Sequence, residues 1–162
     1  MKTRVAASAT IRVPAQQVYA ILADYHNGHP HILPSQYFSD LQVEQGGIGA
    51  GTVIHFQMHV LGKTQTFRAA ITEPKPGRVL VEANLPSGPV TTFTVDPRTE
   101  GQYAQVTITT ELEAREGILG LMERFLTRVT LRRIYAQELG LLAARAEKIP
   151  VAPSANAGKA IA

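Results

Sequence analysis

The 162-residue chain contains no cysteine. That excludes disulfides, thiolate metal sites and cysteine nucleophiles, and it fits a cytoplasmic setting. Charge is also sparse, with only 18% of residues Asp, Glu, Lys or Arg. The formal net charge of +3 and a pI near 9.4 make the chain mildly basic, without the clustered patch of a dedicated nucleic-acid binder. No apolar run approaches the ~20 residues of a membrane span. The opening "MKTRVAASATIRVP" lacks the ~7–15-residue apolar stretch of a signal peptide and reads as mature protein. No internal repeat occurs, and "GxSxG", "GxxxxGK[ST]" and "HExxH" are all absent. The glycine-rich "GGIGAGT" (46–52) precedes a strand pattern instead of a helix, so it reads as a hairpin loop and not a phosphate cradle.

What is present is a strand-rich pattern closed by one long helix. "TRVAASATIRV" (3–13) alternates, with Val5, Ala7, Ala9, Ile11 and Val13 on one side. Pro14 suits the first turn of a helix over "PAQQVYAILADY", with Val18, Ile21 and Leu22 as its apolar stripe. "HNGHPHILP" then makes a second short helix or loop, punctuated by Gly28, Pro30 and Pro34. From Tyr37 to Ala114, six alternating segments separated by Gly/Pro turns indicate a meandering antiparallel sheet. Residues 117–148 predict a long helix with an apolar stripe at Ile118, Met122, Phe125 and Val129.

A seven-stranded sheet must bury one face, and only the long helix is large enough to cover it. The expected fold is α+β: a curved antiparallel sheet gripping a long C-terminal helix, with two short helices after the first strand. One domain spans 1–149. The small-residue, Pro/Gly-rich tail 150–162 is expected to be disordered.

Several phrases, in this order, resemble the START-like (SRPBCC) superfamily, which includes polyketide cyclase/dehydrase-like proteins. They are "IRVPAQQVYAILADY" followed by "HPHILP", "EPKPGRVLVE", "TTFTVDP", "AQVTITTELE" and "LRRIYAQELGLLAARAE". The resemblance covers roughly residues 3–148. It implies a helix-grip fold with an apolar cavity between sheet and C-terminal helix, used for lipids, polyketides or other hydrophobic molecules. It implies no single reaction and carries over no catalytic residue.

Given such a cavity, alternation assigns its wall. Ile54, Phe56, Met58 and Val60 face in, as do Phe67, Ala69 and Ile71, then Val79, Val81, Ala83 and Leu85. Thr91, Phe93 and Val95 follow, then Ala104, Val106, Ile108, Thr110 and Leu112. Met122, Phe125, Leu126 and Val129 are expected as the lid. Beyond Thr130 the apolar stripe rotates to Leu131, Tyr135, Leu139 and Leu142, which would pack on the first helix or form a homodimer surface. Ala136, Gly140 and Ala143 would let the helix approach the sheet closely.

Three of five histidines fall within "ADYHNGHPHILP". The spacing of His26, His29 and His31 beside Asp24 matches no metal signature, and neither metal nor cofactor is expected. The resemblance instead places Tyr25, His29, His31 and Ile32 at the cavity rim. The ligand-binding set is therefore Tyr25, His29, His31, Ile32, Phe56, Met58, Phe67, Phe93, Ile108, Thr110, Met122, Phe125 and Val129. Arg124, Arg128 and Arg132 form a solvated ridge, with membrane contact at most transient and no nucleic acid. Three functions stay open: a binding module for a hydrophobic small molecule, a cyclase- or dehydratase-type enzyme using Tyr25, His29 or Thr110, and a protein-interaction module.

Overall fold

A computed structural model describes residues 2–114 and 116–150. Apart from Pro150, the tail expected to be disordered lies outside the described residues. The chain runs β1 (Lys2–Ile11), α1 (Ala15–Ala23), a 3-10 turn (His29–His31), then β2 (Phe38–Gln45), β3 (Val53–Val60), β4 (Lys63–Lys75), β5 (Val79–Asn84), β6 (Val90–Arg98) and β7 (Tyr103–Glu113). α2 (Gly117–Lys148) closes it. The seven strands form one antiparallel sheet in the order β1-β7-β6-β5-β4-β3-β2. A meander accounts for every neighbour except β1, which pairs with β7 in unbroken register from Lys2↔Glu113 to Ile11↔Ala104.

α1 and the second half of α2 cover the concave face. Val5, Ile11, Val18, Leu22, Leu80, Val95, Val106, Ile108, Ile134, Leu139 and Leu142 meet in the core. Most strand phases are as the alternation predicts, since Ile54, Ala69, Ile71, Phe93, Val95, Ala104, Val106 and Ile108 are all buried. No helix among the described residues is long and apolar enough to cross a membrane.

Two faces depart from the sequence reading. On β5 the inward residues are Leu80, Glu82 and Asn84, not Val79, Val81 and Ala83, while Leu85 is exposed beyond the strand. The pairings Leu80↔Phe93 and Glu82↔Thr91 fix this phase. On α2 the buried face is Gly120, Ile134, Tyr135, Glu138, Leu139, Leu142 and Ala146. The stripe assigned to the lid points away from the sheet, with Ile118 80%, Met122 61% and Phe125 68% exposed. At 100° per residue, Ile118, Met122, Phe125 and Val129 lie nearly opposite Glu138 and Leu142. Tyr135, Leu139 and Leu142 are core, so they are not a free dimer surface. Ala136 and Gly140 are exposed, and an added side chain at Gly140 would meet open space, so they create no close approach to the sheet.

Candidate functional site

The segment after α1 is wound tightly back on the helix it leaves. Asp24 turns the chain: its carboxylate accepts from the backbone N–H groups of His26 and Asn27, and its carbonyl accepts from those of Gly28 and His29. Gly28 sits so close to the last turn of α1 that a Cβ would lie 2.3 Å from the Ile21 carbonyl oxygen. Arg145 of α2 donates to the Asn27 carbonyl at 2.6 Å. The result places His29 beneath α1, 2% exposed, with its Nδ1 donating to the Leu22 carbonyl at 2.8 Å. That bond satisfies one of the carbonyls a helix leaves unpaired at its C-terminus. It also fixes the proton on Nδ1, so Nε2 is the nitrogen free to gain or lose one.

Nε2 lies 3.4 Å from Glu82 Oε1, on the inward face of β5. The Tyr25 hydroxyl donates to the same carboxylate oxygen at 2.6 Å. The Tyr25 ring stacks on His29 with centroids 4.5 Å apart, and Phe93 meets the imidazole edge-on at 5.5 Å. Burial and the adjacent Glu82 push the Tyr25 phenol well above its usual range, so it serves as a hydrogen-bond donor and not as an acid.

Sheet register extends this group sideways. Glu82 pairs with Thr91, and Thr91 with Thr110, so three polar side chains cross β5, β6 and β7 in one row. Thr91 and Thr110 share a hydrogen bond at 2.7 Å, and Thr110 bonds the Tyr135 hydroxyl from α2. Burial raises the Tyr135 phenol as well. One helical turn on, Glu138 is 3% exposed, and burial together with the Glu82 charge holds its carboxyl well above the ordinary carboxylate range.

These groups wall one end of a cavity of about 260 Å³ between the sheet and α2. The rest is mostly apolar, including Phe38, Ile54, Phe56, Met58, Phe67 and Leu131. Leu61, 70% exposed at the β3–β4 turn, and Thr127 of α2 stand at the other end. Thr127 and Glu138 are eleven positions apart on α2, so the lining extends roughly 16 Å along the helix axis.

Of the residues proposed from sequence, His29, Phe56, Met58, Phe67, Phe93 and Thr110 line this cavity. Tyr25 and Ile32 are buried behind the lining and hold it from outside, instead of forming a rim, and Ile108 is core. His31 is exposed and away from the cavity. Met122, Phe125 and Val129 are not in the lining, because they sit on the far side of α2. Sequence reasoning missed Glu82, Asn84, Tyr135 and Glu138. The signal for Glu138 was present: a lone carboxylate at a core position of an apolar helix stripe, three residues after Tyr135. Among the described residues no three His, Cys, Asp or Glu side chains converge on a metal position.

A family profile described as polyketide cyclase / dehydrase and lipid transport matches residues 2–147. Among solved structures, the KanY protein, determined in solution, is 26% identical, with 91% of this chain and 99% of that one aligned at a TM-score of 0.79. The Zhui aromatase/cyclase from a Streptomyces species is 18% identical over 91% and 95% of the two chains, TM-score 0.75. A START superfamily protein from Mycobacterium smegmatis is 13% identical over 90% and 97%, TM-score 0.68. No curated protein matches at the level of sequence.

Proposed function

The chain belongs to the polyketide cyclase / dehydrase and lipid transport family, and on that footing we propose that it binds a hydrophobic small molecule in the cavity between sheet and α2. The observation that carries this reading is the lining itself. Phenylalanine and methionine surround a space whose far end holds a few convergent polar groups, the usual composition of a small-molecule site. Mass spectrometry of the purified chain, under native conditions and after organic extraction, is the first test. A retained apolar mass that disappears in Met58→Glu, which sets a charge in the wall, is the expected result. A bare mass, with no apolar probe such as naphthalene binding afterwards, removes the reading.

A second reading adds chemistry, and the geometry of His29 favours it. With Nδ1 held by Leu22, Nε2 faces the cavity beside the Glu82 carboxylate. On a bound ketone, neutral His29 would take a proton from the carbon next to the carbonyl while the Glu138 carboxyl gives its proton to the carbonyl oxygen. The C–H bond breaks, its electrons form the enol double bond, and the new imidazolium rests against Glu82. This enolisation is the opening step that an aldol-type cyclisation needs. The Zhui aromatase/cyclase shares the fold, which supports the reading by analogy alone. In heavy water the chain should speed deuterium uptake into the methyl group of 2-acetonaphthone, read by NMR. His29→Phe should abolish the acceleration while the ketone still binds. No acceleration by the unaltered chain leaves a binding module.

A further inference from the structure

Among the described residues, the cavity lining contains two carboxyl groups and neither lysine nor arginine. The two carboxyls are not equivalent. Glu82 is engaged by Tyr25 and His29. Glu138 lines the cavity, is 3% exposed, and has no hydrogen-bond partner among the described residues. Asn84 lies two residues beyond Glu82 on the same face of β5, about 7 Å along the strand. Its Nδ2 donates to the Pro89 carbonyl at 2.7 Å, which fixes the amide's orientation. Its Oδ1 is then buried without a partner.

Buried polar groups are rarely left unpaired, and each one calls for an account. At this cavity the Asn84 amide oxygen is such a group, and the Glu138 carboxyl faces the same cavity with no hydrogen bond to a described residue. A carboxyl with no cation beside it is cheapest as the neutral acid, which has one O–H to give. The amide oxygen has a lone pair to offer. The two together complement an uncharged molecule that has a hydrogen-bond acceptor for Glu138 and, where it carries a hydroxyl, a donor for Asn84.

Resting on the ligand-binding reading above, we propose that this cavity selects neutral, oxygen-bearing hydrophobic molecules — ketones, phenols, alcohols — and rejects anionic amphiphiles such as fatty acids and phosphate esters. A ligand oxygen accepts the Glu138 O–H at the deep end, and the apolar body lies along Phe56, Phe67 and Phe93. A ligand carboxylate or phosphate in that position would share the buried end of the cavity with the Glu82 carboxylate. Among the described residues no ammonium or guanidinium is there to receive it, and the imidazole of His29 already faces Glu82. A protonated amine would need Glu138 to give up its proton to solvent, which leaves two desolvated ions to be offset by one contact.

Five probes with one naphthalene body test this on the full chain by calorimetry at pH 7: 2-acetonaphthone, 2-naphthol, 2-naphthoate, 2-naphthylmethylamine and naphthalene itself. The ketone and the naphthol should bind about tenfold more tightly than naphthoate, the amine or bare naphthalene. Glu138→Leu should reduce the ketone to the affinity that the same variant shows for naphthalene, and retained binding of naphthalene reports that the variant is folded. Glu82→Gln should narrow the gap between ketone and naphthoate. Naphthoate or the amine binding as tightly as the ketone overturns the proposal. Uniform binding of all five probes removes the selection and leaves the cavity reading standing; binding of none, naphthalene included, removes both.

Discussion

Glu138 sets the strongest electrostatic condition on this fold. It is buried within electrostatic reach of Glu82, Tyr25 and Tyr135 and lines the same cavity as His29, and among the described residues that lining offers no lysine or arginine. In the unfolded chain its carboxyl titrates near 4.5, whereas in the folded chain burial raises that value well above it. Stability from the neutral acid is therefore fully present below pH 4.5 and is lost as pH rises toward the folded value. The loss is up to about 1.4 kcal/mol per pH unit. Glu138→Gln removes this slope. Urea unfolding across a pH series should show variant and parent converging below pH 4.5 and the variant gaining steadily above it. A constant difference at all pH values contradicts the buried neutral acid. Gly28 sets a steric condition beside it. The Ile21 carbonyl that a Cβ would strike is helix backbone and cannot swing aside. Gly28→Ala should cost about 2 kcal/mol or more and loosen the Nδ1–Leu22 bond that orients His29. Urea unfolding gives the first effect, and the deuterium-uptake assay with 2-acetonaphthone gives the second.

β5 shows at the scale of an element why the site was only half legible. "RVLVEAN" is apolar on both faces: Val79, Val81 and Ala83 outward, Leu80 inward. Alternation alone favours the phase with more apolar positions, and that phase is the wrong one. The inward side was lent to polar residues, Glu82 and Asn84, for the sake of the cavity, and local rules fail most readily at such sites. The same substitution of roles misled the reading of α2. Its cavity face carries Thr127, Thr130 and Glu138, while its outer face at Ile118, Met122 and Phe125 is more apolar. Where the inward face stayed largely apolar, on β3, β4, β6 and β7, period-two alternation identified it correctly although that face also lines the cavity, and the order of β2 to β7 followed from short turns. Stability measurements separate the two phases of β5. Leu80 is fully buried against Phe93, so Leu80→Ala should cost about 2–5 kcal/mol by urea unfolding. Val81→Ala, on the outer face, should cost about 1 kcal/mol or less. Equal costs would restore the sequence-derived phase and take Glu82 out of the cavity.

The whole molecule is unevenly held together, and the cavity lies across the division. The second half of α2 is anchored by Ile134, Tyr135, Leu139, Leu142 and Ala146, all buried. The first half buries only Gly120 and leaves six large apolar side chains between Ile118 and Leu126 in the open. Local stability follows buried contacts, so amide exchange in 117–130 should run well ahead of exchange in 134–146. Thr127, Thr130 and Leu131 form the outer part of the cavity's helical wall, before Tyr135 and Glu138, and Leu61 marks the β3–β4 turn opposite. A ligand in the cavity gives both segments contacts they otherwise lack. At a free concentration of 100 times its Kd, a ligand specific for the folded state adds about 2.7 kcal/mol of stability. Hydrogen-exchange mass spectrometry with and without 2-acetonaphthone should find the new protection concentrated in 127–131 and 58–67, with β1 and the end of α2 changed only by the global term. If global stability rises while those two segments exchange as before, the ketone binds elsewhere. The acid at position 138 would then be a buried group without a ligand, and the site argued from it would fall.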